Sequence, residues 1–224
     1  FLEIAGINIE LTPEQVADCV DEFGIGFMYA PNLHSAMRHV MPARRGTGVR
    51  TIFNLLGPLT NPAGAKRQVL GVFDKNWVRP MAEVSKHLGQ KRVMVIHSQD
   101  GLDEISIAAP TEVVELEGGF LKAYTIDPRE FAIHHDSLDP VRVDGAAQSL
   151  DLIKGAFSGQ QGPAYDMIAL NSAAILQVSA EPSDFASALA QAKSILDNGE
   201  AQTKLAAYAA YTQSLNAGEQ EILQ

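Results

Sequence analysis

The sequence predicts an α/β fold with a mixed, mainly parallel sheet flanked by helices. Three observations support this: a strand–helix–strand unit in the middle of the chain, an antiparallel hairpin after it, and a helical carboxyl-terminal third. A small helical segment precedes them. The chain has 224 residues, 46% hydrophobic and 20% charged, which is ordinary for a globular protein with a full core.

The first helix has a complete start signal. Thr12 suits the N-cap, Pro13 suits the first helical position, and Gln15 can close a capping box. Gly24 ends the helix. After an extended segment, a second short helix is predicted at residues 33–40.

The central strand–helix–strand unit comprises residues 68–73, 76–88 and 92–97. Both strands are continuously apolar, as expected when both faces of a sheet are covered. Strands linked by such a crossover lie parallel. The loop at 98–104 therefore lies at the carboxyl end of a strand, where open α/β sheets bind ligands. A further short strand is predicted at 105–108.

Residues 111–116 and 120–126 form the predicted antiparallel hairpin, joined by Gly118 and Gly119 at a sheet edge. The chain is predicted to be helical from Gly145 onward. The helices are expected at residues 146–157, 163–178, 183–196 and 201–215.

The charge distribution indicates an anion site. Residues 23–73 contain no Asp or Glu but hold five arginines and one lysine, whereas the rest of the chain holds 11 basic and 27 acidic residues. A cationic segment within an acidic chain suits one small anionic ligand.

The net charge of −10 speaks against general nucleic-acid binding. No apolar run approaches the roughly 18 residues of a membrane span. The single Cys19 and the lack of a signal segment favour the cytoplasm.

Three groups of residues are candidates for a ligand site. Asp103 and Glu104 could hold Mg²⁺ or could belong to a solvated loop. Arg44 could grip a carboxylate or phosphate with two hydrogen bonds, or could be a surface arginine. His34 could donate to an anionic or carbonyl group, or could be structural. No Ser-His-Asp or Cys-His arrangement is present, so no catalytic nucleophile is predicted.

Three longer motifs resemble those of the anthranilate phosphoribosyltransferase family. They are RTIFNLLGPLTNP at residues 50–62, FMYAPNLHSAMR at 27–38 and GLDE at 101–104. The resemblance implies a fold of the nucleoside phosphorylase/phosphoribosyltransferase type. It also implies transfer of the phosphoribosyl group of PRPP to the amino nitrogen of anthranilate, with release of pyrophosphate. Mg²⁺ is the implied cofactor, and the intact protein is implied to be a homodimer.

The resemblance also assigns roles to single residues. Arg44 matches the family arginine that binds the anthranilate carboxylate. Asp103 and Glu104 match the acidic pair for Mg²⁺. The positions lining the anthranilate channel are matched by His34, Met37, Gly57 and Pro58.

Two family segments are not found in this sequence. They are a Gly-Thr-Gly-Gly-Asp phosphate loop and a Lys-His-Gly-Asn segment, both expected upstream of Phe1. The chain is therefore expected to correspond to the carboxyl-terminal two-thirds of the enzyme. Residues 1–60 would be the remainder of a helical region with the acceptor-site loops, and 61–224 the α/β domain.

Three alternatives remain open at the level of sequence. A pyrimidine nucleoside phosphorylase of the same superfamily would use inorganic phosphate, but the Asp-Glu pair favours the transferase. A non-catalytic nucleic-acid-binding homologue would need a broad basic surface. The third alternative is a folded but inactive module, because half of the PRPP site is expected upstream of Phe1.

Overall fold

The computed structural model describes residues 1–30, 57–179 and 184–221, with side chains described as far as residue 215. Within these residues the α-helices are α1 Pro13–Phe23, α2 Val78–His87, α3 Ala146–Phe157, α4 Pro163–Ser179, α5 Phe185–Asp197 and α6 Glu200–Glu221. The strands are β1 Arg67–Gly71, β2 Arg92–Ser98, β3 Thr111–Glu117 and β4 Phe120–Ile126. Three short 3₁₀ helices lie at Lys75–Trp77, Pro128–Phe131 and Asp139–Val141.

The chain forms two compact units. The first, unit 1, contains Phe1–Arg50, Val143–Lys154 and Glu200–Gln224, and the second, unit 2, contains Thr51–Arg142 and Gly155–Gly199. The predicted domain boundary after residue 60 stays a prediction.

Unit 1 is built around α1 and α6. The capping box is confirmed: Gln15 N donates to Thr12 Oγ1 at 3.2 Å, and Thr12 N donates to Gln15 Oε1 at 3.0 Å. Gly24 ends the helix in the left-handed conformation, with a φ of 70°. The hydrophobic core of this unit contains Ile7, Leu11, Val16, Cys19 and Tyr208.

Unit 2 contains the sheet, with strand order β1-β2-β3-β4. β1 and β2 are parallel, as the strand–helix–strand pattern predicted. β3 pairs antiparallel with β2 and with β4, so the predicted hairpin is confirmed and β4 is an edge strand. The mixed α/β class is confirmed. The described sheet is not mainly parallel, however, because one of its three pairings is parallel and two are antiparallel.

Helix α2 packs against β2 and β3, and helix α4 packs against β1 and β2. Arg67 of β1 donates to the carbonyl of Val178 in α4 at 2.9 Å. The apolar core on the α2 side is formed by Leu70, Val72, Val78, Met81, Ala82, Val93, Val95, Val114 and Leu116. None of the helices in the described ranges is both long and apolar enough to cross a bilayer.

The predicted short strand at residues 105–108 is wrong. This segment is mostly buried, but its backbone forms hydrogen bonds with side chains and not with a neighbouring strand. Ile105 N and O bond to the side chain of Asn171, and Ser106 N donates to Thr111 Oγ1 at 3.2 Å. These backbone groups are therefore satisfied without a sheet.

Candidate functional site

The acidic pair lies in the loop that follows β2. Asp103 and Glu104 are both exposed. The loop folds back at once: Ser98 N donates to Leu102 O at 2.8 Å, and Gly101 N donates to Ser98 O at 2.9 Å. Gly101 has a φ of 92°, which favours glycine. The pair thus lies at the carboxyl end of a parallel strand, as the sequence predicted.

The backbone of Asp103 lies against Gly71, the last residue of β1. A Cβ atom placed on Gly71 would lie 1.8 Å from the carbonyl oxygen of Asp103 and 3.1 Å from its Cβ. No side chain fits in that space, so the close approach requires glycine.

The residue after the acidic pair, Ile105, is held by α4. Asn171 Oδ1 accepts from Ile105 N at 2.9 Å, and Asn171 Nδ2 donates to Ile105 O at 3.0 Å. The same amide nitrogen also donates to Met167 O at 3.0 Å, which fixes the side chain on its own helix. The Ile105 side chain is completely buried. The loop is therefore bonded to α4 directly after Glu104.

A second group of bonds closes the loop on itself. Ser106 Oγ donates to Asp100 Oδ2 at 2.6 Å and accepts from Ala108 N at 3.0 Å. Gln99 N donates to Pro110 O at 2.9 Å. These bonds link the start and end of the loop and restrict its shape.

The electrostatics of the pair suit a cation. The pKa of Glu104 is raised, first by partial burial of its carboxyl group and second by the neighbouring charge of Asp103. Among the described residues, neither carboxylate forms an ion pair, and there is no group of three or more metal-binding side chains. Two neighbouring carboxylates with no ion-pair partner among the described residues are a donor set that fits Mg²⁺, which keeps waters or substrate oxygens as its other ligands.

The candidate acceptor-site residues are only partly described. Gly57 and Pro58 begin a helical turn at residues 57–59, in which Thr60 N donates to Gly57 O at 3.2 Å. Leu59 packs against the core on the α2 side of the sheet, which anchors the turn. Gly57 is exposed. Three other predicted site residues lie outside the described residues: His34, Met37 and Arg44.

Two residues that hold the acidic loop were not predicted from sequence. Asn171 interrupts an apolar helical stretch, and a buried amide needs partners, so its position carried a usable signal. Gly71 ends an apolar strand and carried a weaker one. Neither signal says which loop the residue contacts.

The fold and the loop together define an α/β protein whose candidate ligand site lies at the carboxyl end of a parallel strand pair. Comparison with known proteins makes the assignment specific. The chain belongs to the family described as "Glycosyl transferase family, a/b domain", whose sequence model matches residues 1–202. The resemblance found in the sequence is confirmed at this level.

Curated relatives carry a more specific name. The anthranilate phosphoribosyltransferase of Methylobacillus flagellatus is 51% identical over 213 residues, covering 95% of this chain and 62% of that protein. The enzyme of the same name from Hydrogenovibrio crunogenus is 48% identical, covering 96% of this chain and 63% of that protein. The chain thus spans somewhat under two-thirds of the length of these relatives.

Solved structures agree with the fold. Anthranilate phosphoribosyltransferase from Thermus thermophilus matches with a TM-score of 0.87 and 38% identity, over 95% of this chain and 63% of that one. The Saccharomyces cerevisiae enzyme in complex with PRPP and Mg matches with a TM-score of 0.86 over 95% of this chain and 62% of that one. At 24% identity this second match shows the fold alone.

Proposed function

We propose that this chain is part of an anthranilate phosphoribosyltransferase. The reaction transfers the phosphoribosyl group of PRPP to the amino nitrogen of anthranilate and releases pyrophosphate. The observation that carries the proposal is the exposed Asp103–Glu104 pair, fixed at the carboxyl end of β2 by contacts on both sides. The relatives at 51% and 48% identity, which bear this name, support it.

Asp103 and Glu104 are proposed to hold Mg²⁺. When bound, the ion would neutralise charge on the departing pyrophosphate. The contribution of the chain is to hold two carboxylates at one place before the ligand arrives. The Gly71 contact and the Asn171 hydrogen bonds support this proposal, because they fix the backbone at Asp103 and at the residue after Glu104.

The acceptor is proposed to bind at the cationic segment. The Arg44 guanidinium would form two parallel hydrogen bonds with the anthranilate carboxylate. His34, Met37, Gly57 and Pro58 would line the channel. A Cβ atom added to Gly57 would meet no other atom within 4 Å, so there is open space beside this turn among the described residues.

No protein nucleophile is proposed. The amino nitrogen of anthranilate attacks the ribose C1 directly as pyrophosphate leaves. The protein therefore contributes mainly positioning and charge neutralisation. A homodimer, a cytoplasmic location and the absence of nucleic-acid and membrane partners are part of the same proposal. The net charge of −10 supports the absence of a nucleic-acid partner.

The test is the loss of anthranilate fluorescence in the presence of PRPP and Mg²⁺. It should be measured on this chain and on the complete gene product that carries its sequence. Loss that requires both PRPP and Mg²⁺ in the complete gene product supports the transferase. No turnover there refutes it, and uridine or thymidine with inorganic phosphate would then test for a nucleoside phosphorylase.

A further inference from the structure

Two elements, β1 and α4, hold the acidic loop, and both contacts act on backbone atoms next to the carboxylates. Gly71 at the end of β1 contacts the carbonyl of Asp103. Asn171 of α4 bonds both the N–H and the C=O of Ile105, the residue after Glu104. The amide side chain thus replaces the neighbouring strand that this buried segment lacks.

From this arrangement we infer that Asn171 and Gly71 are positioning residues for a divalent cation at Asp103 and Glu104, an inference that rests on the proposed function. A metal ion needs its ligand oxygens at fixed distances from one another. Two carboxylates on an exposed loop meet this need only if the loop backbone is fixed. Asn171 and Gly71 supply that constraint within one residue of the pair.

Removal of either contact should move the loop. Without Asn171, the buried N–H and C=O of Ile105 lose the partners that satisfy them, which favours a loop shift that exposes them to water. A methyl group on Gly71 would collide with the Asp103 carbonyl and displace the same loop. The two substitutions are independent routes to one effect.

If Asn171 and Gly71 were only structural, their substitution would lower the stability of the protein without specifically weakening metal binding. Tyr165 provides the matched control. It lies on the same helix as Asn171 and is buried, and its hydroxyl donates to Asp197 Oδ1 at 2.8 Å, away from the loop. Tyr165→Phe should therefore remove a hydrogen bond between α4 and α5 and leave the acidic pair in place.

The experiment measures Mn²⁺ binding by electron paramagnetic resonance, with Mn²⁺ as a probe for the Mg²⁺ site. The complete gene product is compared with its Asn171→Leu, Gly71→Ala, Tyr165→Phe and Asp103→Asn variants, each at a temperature where urea unfolding shows it to be folded. Asn171→Leu and Gly71→Ala should each weaken Mn²⁺ binding by about 10-fold or more. Tyr165→Phe should leave binding within about twofold of wild type. If one of the two positioning variants does not fold, the other decides.

Turnover provides a second readout. The two positioning variants should raise the Mg²⁺ concentration needed for half-maximal rate and leave the KM for anthranilate unchanged. Equal Mn²⁺ binding in wild type and both variants overturns the inference. So does binding that Asp103→Asn does not reduce, or a wild type that binds no Mn²⁺. A wild type that binds Mn²⁺ but does not turn over defeats the proposed transferase, while the binding comparison still decides the positioning role.

Discussion

Glu115 belongs to a buried charge network that spans three strands. Its substitution therefore tests how much this network stabilises the sheet. Glu115 Oε1 accepts from Arg92 Nε at 2.9 Å, and Glu115 Oε2 accepts from Tyr124 Oη at 2.8 Å. Arg92 is 6% exposed and Glu115 is 5% exposed. Burial and the Glu115 charge raise the pKa of Tyr124, so its hydroxyl stays protonated and can donate.

The expected cost of Glu115→Ala follows from what it leaves behind. The Arg92 guanidinium would keep one ion pair, to Glu117 at 3.3 Å, and the Glu117 side chain is 63% exposed. A buried charge that loses its only partner costs roughly 3–5 kcal/mol, so Glu115→Ala, which leaves Arg92 with the solvated Glu117 alone, should cost roughly 3 kcal/mol. Tyr124→Phe leaves the ion pair intact and should cost about 1 kcal/mol.

The assay is urea unfolding followed by the fluorescence of Trp77, which is the single tryptophan of the chain and lies in unit 2. Glu117→Ala is the control: Arg92 keeps its bond to Glu115, and the Glu117 side chain that it loses is 63% exposed, so the cost should be at most about 1 kcal/mol. Replacing Arg92 and Glu115 together by leucine should recover most of the loss, because no unpaired buried charge remains. A Glu115→Ala variant within about 1 kcal/mol of wild type would refute this account.

Four other substitutions test separate features. Glu104→Gln should raise stability at neutral pH. The folded protein binds the Glu104 proton more tightly than the unfolded chain, so ionisation destabilises it as the pH rises above the ordinary pKa of 4.5, and the gain should vanish in more acidic solution. Ser85→Ala should stabilise unit 2 by about 1 kcal/mol, because the buried Ser85 hydroxyl has no hydrogen-bond partner among the described residues. Ala132→Gly should stabilise by about 0.5–1 kcal/mol, because Ala132 has a φ of 58°. Arg44→Ala should raise the KM for anthranilate roughly 10–150-fold through loss of a charge-assisted pair.

Each of these has a measurement that can contradict it. Urea unfolding at about pH 4 and 7 tests Glu104→Gln, and a pH-independent effect would count against the titration of this carboxyl as the cause. Thermal unfolding tests the other two stability changes. Ala123→Gly, in β4, is the control for Ala132 and should destabilise, since glycine weakens a strand. An unchanged KM would remove Arg44 from the acceptor site.

Features set by neighbouring residues were predictable from the sequence. The capping box of Thr12 and Gln15 depends on residues three apart, and the hairpin depends on the Gly118–Gly119 turn between alternating segments. The parallel pairing of β1 and β2 follows from one crossover. That crossover says nothing about the next strand, which is why the expectation of a mainly parallel sheet did not hold for β3 and β4.

Features set by distant residues were not predictable. Residues 105–108 have the composition of a strand, but Asn171 lies 66 positions away and takes the hydrogen bonds of Ile105. Likewise, the apolar composition of β2 gave no sign of the buried pair between Arg92 and Glu115, because the pairing depends on strand register. The position of the acidic loop was predictable; the contacts that fix it were not.

The failed strand prediction has a consequence for the proposed metal site. In a strand, consecutive side chains point to opposite faces of the sheet, so a strand extended back through Asp103 and Glu104 would separate the two carboxylates. The segment that contains them is not a strand, and the charge of Asp103 contributes, after burial, to the raised pKa of Glu104. Because Asn171 satisfies the backbone of Ile105 with a side chain, the segment stays buried without becoming a strand. The contact that prevents the predicted strand is therefore also the one that the proposed metal site requires, because it leaves Asp103 and Glu104 in a loop rather than in a strand.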